Sequence, residues 1–142
     1  QATDASHLVV LCIKNKIDES HIDAHIRSSA EARGVSVDSL QKYRERLLAT
    51  PETKSPATYR HWATAQLYLA AGMLLATAAY MGIDACPMEG FDAKAYDKEL
   101  DLKKRGLHSV LVITLGYRSM DDERATAKKV RFDRPDVISQ LD

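Results

Sequence analysis

Between Trp62 and Met81 the chain carries only Thr64, Gln66 and Thr77 as polar residues. Ser55 supplies a cap and Pro56 sits in the first turn, where a missing N–H costs nothing, so the segment opens as a helix and stops at Gly82. Apolar residues fall on every face of that helix, which therefore must be covered all round or lie in lipid. Alanine and glycine dominate it and charged sequence flanks it. That composition favours a central helix buried in protein over a membrane span. A chain of 142 residues cannot easily surround such a helix from within. Part of its cover is expected from a second subunit or from further sequence.

The remaining elements follow from local signals. His7–Ile13 is a continuous apolar run of strand length, rich in β-branched residues. Asp18 caps a helix over Glu19–Arg33, and Gly34 is placed as its left-handed stop. Ser36 caps a second helix reaching about Ala49, with Leu40, Tyr43, Leu47 and Leu48 as its apolar stripe. Ile83–Cys86 reads as a short strand that leads into a Pro87–Gly90 loop, and Asp92 caps a helix from Ala93 to about Leu102. Leu107–Leu115 is the strongest strand signal, ended by Gly116. Beyond Tyr117 the chain is charged and irregular, with Val137 and Ile138 as a candidate edge strand. Helices and strands mix without βαβ alternation, so the expected class is α+β in one domain over residues 1–142.

Charge and cysteine content narrow the function classes. Twenty basic residues balance twenty acidic ones, which argues against a dedicated nucleic-acid binder. Cys12 and Cys86 are the only cysteines, too few for a disulfide framework or a cysteine metal site, and they suit a reducing, cytoplasmic compartment. No basic segment followed by an apolar stretch marks a signal peptide. The chain starts at Gln1, close to a core strand, as a piece of a longer protein would.

The common catalytic motifs are absent: G-x-S-x-G, H-E-x-x-H, the phosphate-binding Walker loop and G-x-G-x-x-G. His21 and His25 lie one helical turn apart, but with no third ligand nearby they read as surface histidines rather than a metal pair. Nothing activates Cys86, which reads as a small, inert thiol. Two features invite a ligand. In Pro87-Met88-Glu89-Gly90 the proline fixes the exit from the strand, and the glycine permits close approach or positive φ. Such a loop can aim backbone N–H groups at a flat, acceptor-bearing ring, although local physics alone favours an ordinary turn. Lys128, Lys129 and Arg131 form a basic run in which Lys129 and Arg131 project to the same side if extended, so both can grip one phosphate. In isolation a solvated basic run is the simpler reading.

Taken in order, these segments resemble the FMN-dependent NAD(P)H nitroreductases, in particular the oxygen-insensitive nitroreductase and dihydropteridine reductase branch. The matching stretches are Asp4–Val10, Trp62–Gly72, Met81–Asp92 with its PMEGFD loop, Leu111–Gly116 and Ala125–Arg131. They span essentially the whole chain, in order and spacing, and correspond to the C-terminal two-thirds of the family pattern. The resemblance implies a nitroreductase-like fold, a mainly antiparallel sheet with a long buried helix, working as an intertwined homodimer with FMN sites at the subunit interface. It implies that the segment around Val137 and Ile138 reaches across to the partner's sheet. It places Pro87, Met88, Glu89, Gly90, Lys129 and Arg131 in the cofactor site: the Glu89–Gly90 backbone beside the flavin ring, Lys129 and Arg131 by the phosphate. The implied reaction is ping-pong hydride transfer from NAD(P)H through FMN to a nitroaromatic, quinone or related small acceptor. The cofactor carries that reaction, which accounts for the lack of a catalytic acid–base pair or a metal site. No nucleic acid and no membrane is implied as a partner. The family's N-terminal third, with an arginine-and-serine phosphate motif and a lysine near the flavin, has no counterpart before Gln1. A truncated, non-catalytic dimerisation module of the same fold is therefore the alternative.

Overall fold

A computed structural model describes residues 2–50, 53 and 55–141. Gln1 and Asp142, the ends of the domain expected over residues 1–142, lie outside the described residues. Strand β1 (His7–Lys14) is followed by helix α1 (Glu19–Arg33), a 3-10 turn (Asp38–Leu40) and helix α2 (Gln41–Leu48). Then come the long helix α3 (Pro56–Tyr80), strand β2 (Asp84–Met88), helix α4 (Ala93–Glu99), a second 3-10 turn (Leu102–Arg105), strand β3 (Leu107–Gly116) and a short helix α5 (Arg134–Val137).

The local signals act as their chemistry requires. The Asp18 carboxylate accepts from the His21 N–H at 3.1 Å, and Gly34 closes α1 at φ 63. Ser55 Oγ accepts from the Thr58 N–H at 3.3 Å to open α3. Gly82 ends α3 at φ 70, in the left-handed region where a side chain would be strained.

Four boundaries differ from expectation, each for a physical reason. The helix expected from Ser36 begins as a 3-10 turn, with Ser36 Oγ accepting from Ser39 N–H at 3.3 Å, and becomes α-helical only at Gln41. The strand expected to stop at Cys86 runs through Pro87 to Met88. It pairs with β3 alone, so proline's missing N–H leaves no second neighbour short of a bond. The helix after Asp92 stops at Glu99, because Asp101 adopts φ 51 and turns the chain so that Leu102 is buried. Val137 lies in α5, opened by Pro135, and not in a strand; both Val137 and Ile138 are exposed. No strand of this chain pairs with that segment among the described residues.

The sheet has the order β1-β3-β2 and is antiparallel throughout, from His7↔Leu115 to Lys14↔Leu107 on one side and Asp84↔Gly116 to Met88↔Val112 on the other. Central β3 buries Ser109, Leu111, Val112, Ile113 and Thr114. Helix α3 lays Tyr59, Ala63, Leu67 and Ala71 on the sheet, against Ile13, Leu111 and Ile113. These positions recur every four residues, a single stripe of the helix. Burying one large aliphatic side chain of this kind contributes about 1.5–3 kcal/mol. The opposite face is open: Leu69 is 67% exposed, Met73 70% and Tyr80 93%. By length and composition alone α3 is able to cross a membrane, yet its packed stripe seats it on the sheet as a core helix. Among the described residues, none covers that outer face.

Candidate functional site

The end of β2 and the start of α4 form a strand–loop–helix corner around Glu89 and Gly90. The Phe91 N–H donates to the Glu89 carbonyl at 2.9 Å, which closes a tight turn. Asp92 then caps α4: its carboxylate accepts from the N–H groups of Lys94 at 3.0 Å and Ala95 at 3.1 Å. The Phe91 ring meets Tyr96 edge to face at 5.1 Å.

A buried polar clamp holds α4 on the sheet. One Asp97 oxygen accepts from the Ser109 N–H at 2.8 Å and from its hydroxyl at 2.6 Å. The other lies 2.6 Å from His108 Nδ1. Ser109 is only 1% exposed, so its N–H needs this partner, while its hydroxyl also lies 3.2 Å from the Ala93 carbonyl of α4. Burial pushes the Asp97 carboxyl up, but the bonds from Ser109 and His108 outweigh it and hold the group below the usual aspartate range. Aspartate, histidine and serine here do not form a nucleophilic triad, because Ser109 bonds to Asp97 and not to His108. At the far end of β2, Arg118 grips the Asp84 carboxylate through Nε at 2.8 Å and through Nη2, and its backbone N–H adds a bond at 3.0 Å. The β2 segment is thus tied at both ends.

Within this corner Glu89 and Gly90 present two adjacent backbone N–H groups that donate to no described residue. A methyl group placed on Gly90 would meet nothing within 4 Å. Gly90 does not use positive φ, so the chain's own geometry does not require glycine there. Across the loop, the Tyr68 hydroxyl of α3 donates to the Glu89 carboxylate.

The six expected cofactor residues divide into two groups. Pro87 and Met88 end β2, and Glu89 and Gly90 follow directly. Lys129 and Arg131 lie in an exposed, irregular stretch between β3 and α5. Arg131 Nη1 donates to the Val130 carbonyl at 2.8 Å, and Lys129 forms no ion pair among the described residues. No bond joins the two groups among the described residues. A cleft of about 780 Å³ opens at the other end of β2, lined by Met73, Leu74, Ile83, Leu115 and Tyr117, and holds none of the six. His21 and His25 engage different neighbours: Lys14 Nζ lies 3.0 Å from His21 Nδ1, and Tyr43 lies 3.4 Å from His25 Nε2. Both cysteines are free and half-buried. Asp97 and Tyr68 carry no sequence signature of their own. The nearest clue is Ser109, a polar residue inside an otherwise apolar strand.

Comparison with known proteins places this geometry. The model of the nitroreductase family matches residues 8–117. An oxygen-insensitive NAD(P)H nitroreductase from Salmonella typhimurium is 31% identical over 141 residues, which covers 97% of this chain and 65% of that protein. An enzyme of the same name from Enterobacter cloacae is also 31% identical, over 96% of this chain and 64% of its own length. Among solved structures, a nitroreductase family protein from Streptococcus pneumoniae superposes with a TM-score of 0.71 at 20% identity, covering 98% of this chain and 66% of the other. A Staphylococcus epidermidis protein provisionally named an NAD(P)H:FMN oxidoreductase gives a TM-score of 0.73 at 20% identity, over 98% of this chain and 63% of its own. The chain thus spans about 65% of the length of the curated relatives it matches. With a family match across most of its residues and an α+β fold shared with solved members, the chain belongs to the nitroreductase family.

Proposed function

We propose that this chain forms part of an FMN-dependent NAD(P)H oxidoreductase, in which the Glu89–Gly90 corner makes one wall of the cofactor site. The observation that carries this reading is the pair of uncommitted N–H groups at Glu89 and Gly90, beside open space at the Gly90 α-carbon. A flat ring with acceptor atoms on its edge fits such a donor set, and the absence of a Cβ lets it approach the backbone. When bound, FMN would supply the two-electron chemistry between NAD(P)H and a small acceptor such as a nitroaromatic or a quinone.

The chain's own residues position and polarise. Two N–H dipoles favour added negative charge on the ring edge they face. Lys129 and Arg131 supply two cations for the phosphate, and with no acidic partner among the described residues they are available to it. Asp97, Asp92 and the Phe91–Glu89 turn keep the corner rigid, so the donors need not reorganise on binding. We further place the working unit as a homodimer, with the exposed face of α3 and the segment around Val137 and Ile138 covered by the partner. The compartment we assign is the cytoplasm. Titrating the complete protein with FMN, and following the quenching of flavin fluorescence, tests the reading. Saturable binding supports it, and protein that stays colourless supports instead the non-catalytic dimerisation module, which the open face of α3 also suits.

A further inference from the structure

The Glu89 side chain springs from the backbone of the proposed ring site, and no arginine, lysine or histidine pairs with its carboxylate among the described residues. Its partner is the hydroxyl of Tyr68, which reaches it from the middle of α3. Tyr68 is 39% exposed and adds little to the core, so packing alone does not account for its placement. The bond crosses twenty-one positions of sequence, from α3 to the loop, and is the side-chain tie between the two among the described residues. The hydrogen bond to Glu89 also pushes the Tyr68 phenol above the ordinary tyrosine range, as donation to an ionised carboxylate must.

We propose that Tyr68 is a positioning residue for the cofactor: its hydroxyl holds the Glu89 carboxylate against α3, disperses that charge, and so sets how readily the bound ring accepts electrons. The inference rests on the FMN reading above and assigns to it a tuning element on α3. A carboxylate near a ring that gains negative charge on reduction opposes the reduction. A donor on that carboxylate weakens the opposition, and also prevents the side chain from swinging toward the ring. Tyr68 acts only through Glu89 in this account, so its effect must vanish when Glu89 carries no charge.

A double-mutant cycle on the FMN-loaded protein, read as the midpoint potential of the bound flavin, tests this. Tyr68→Phe is expected to lower the ratio of reduced to oxidised cofactor affinity about tenfold, a shift of about 30 mV toward more negative potential for a two-electron couple. Glu89→Gln is expected to raise the ratio by a similar factor. In the Glu89→Gln background, Tyr68→Phe should change it by less than about twofold. Equal shifts in both backgrounds, or no shift in either, would overturn the proposal. A second measurement needs no cofactor: burial also raises the Tyr59 phenol, so ultraviolet titration of the apo protein in a Tyr59→Phe background should show the Tyr68 phenol titrating high and returning to the ordinary range in Glu89→Gln. If that phenol is already ordinary in the parent, the tie is absent and the proposal falls. Should the phenol titrate high while the complete protein retains no FMN, the cofactor role falls together with the reading it rests on, and only the tie survives.

Discussion

The corner after β2 and the segment after β3 both carry expected cofactor residues, and they are built in opposite ways. The corner is held by bonds within the chain: Asp97 to Ser109, Asp92 to the first turn of α4, Tyr68 to Glu89 and Arg118 to Asp84. The later segment exposes Met120 at 99%, Val130 at 88% and Phe132 at 83%. It contributes no residue to the core cluster. Nothing in the described chain packs over these three apolar side chains. On the reading proposed above, one wall of the site is held by bonds within this chain, whereas the other would take its shape from an assembly. Mutations should therefore act on stability in the first region and on association or ligand affinity in the second.

The largest effect is expected at the clamp. Asp97→Ala strands the buried Ser109 N–H, leaves its hydroxyl only the Ala93 carbonyl and frees His108, and should cost about 3 kcal/mol, a fall in Tm of roughly 10 °C by calorimetry. A loss under about 0.5 kcal/mol would remove the claim that the corner is self-supported. In the other region, Lys129 and Arg131 changed together to alanine should weaken FMN binding roughly 30-fold, about 2 kcal/mol, while the unliganded protein melts unchanged. Unaltered affinity would refute their assignment to the phosphate. Changing Val137 and Ile138 together to aspartate should leave the secondary structure intact and move a dimer toward monomer in sedimentation. An unmoved equilibrium would mean that this segment covers nothing.

Acid should separate the regions again. The carboxyls of Asp97 and Asp84 are held below the usual aspartate range, the first by Ser109 and His108 against the opposing effect of burial, the second by Arg118. A depressed carboxyl adds stability above its unfolded value, about 3.9, and that contribution is lost as pH falls through the lower, folded value. Hydrogen exchange in β2 and α4 should therefore rise as pH drops below about 4 (after correction for intrinsic rates), with no matching step over amides 119–132. Smallest is Gly82→Ala, which forces a side chain into φ 70 at the end of α3 and should cost about 1 kcal/mol.

Much of this architecture is legible in the sequence, and the illegible part has a common cause. Asp18, Ser55 and Asp92 each satisfy a donor within three residues, and Gly34 and Gly82 terminate helices by their own φ, so those signals are local. The apolar helix and the β3 run follow from continuous apolar content bounded by Ser55-Pro56, Gly82 and Gly116. Pro87 was harder, because whether a strand tolerates it depends on which neighbours the strand has. Asp97 with Ser109 and Tyr68 with Glu89 join positions twelve and twenty-one apart, and no local pattern announces such pairs. For the site, local physics makes Pro87–Gly90 an ordinary turn. Only the ordered family match, and then the adjacent Glu89 and Gly90 N–H groups that donate to no described residue, distinguish it.

Gly90 also offers the sharpest test. The chain requires glycine there neither for φ nor for space, so Gly90→Ala should leave the melting temperature of the unliganded protein within about 1 °C. If the ring docks against this backbone, the added methyl group must weaken FMN binding about tenfold or more in fluorescence titration. Equal affinity for FMN in the parent protein and in Gly90→Ala would contradict the account at its centre.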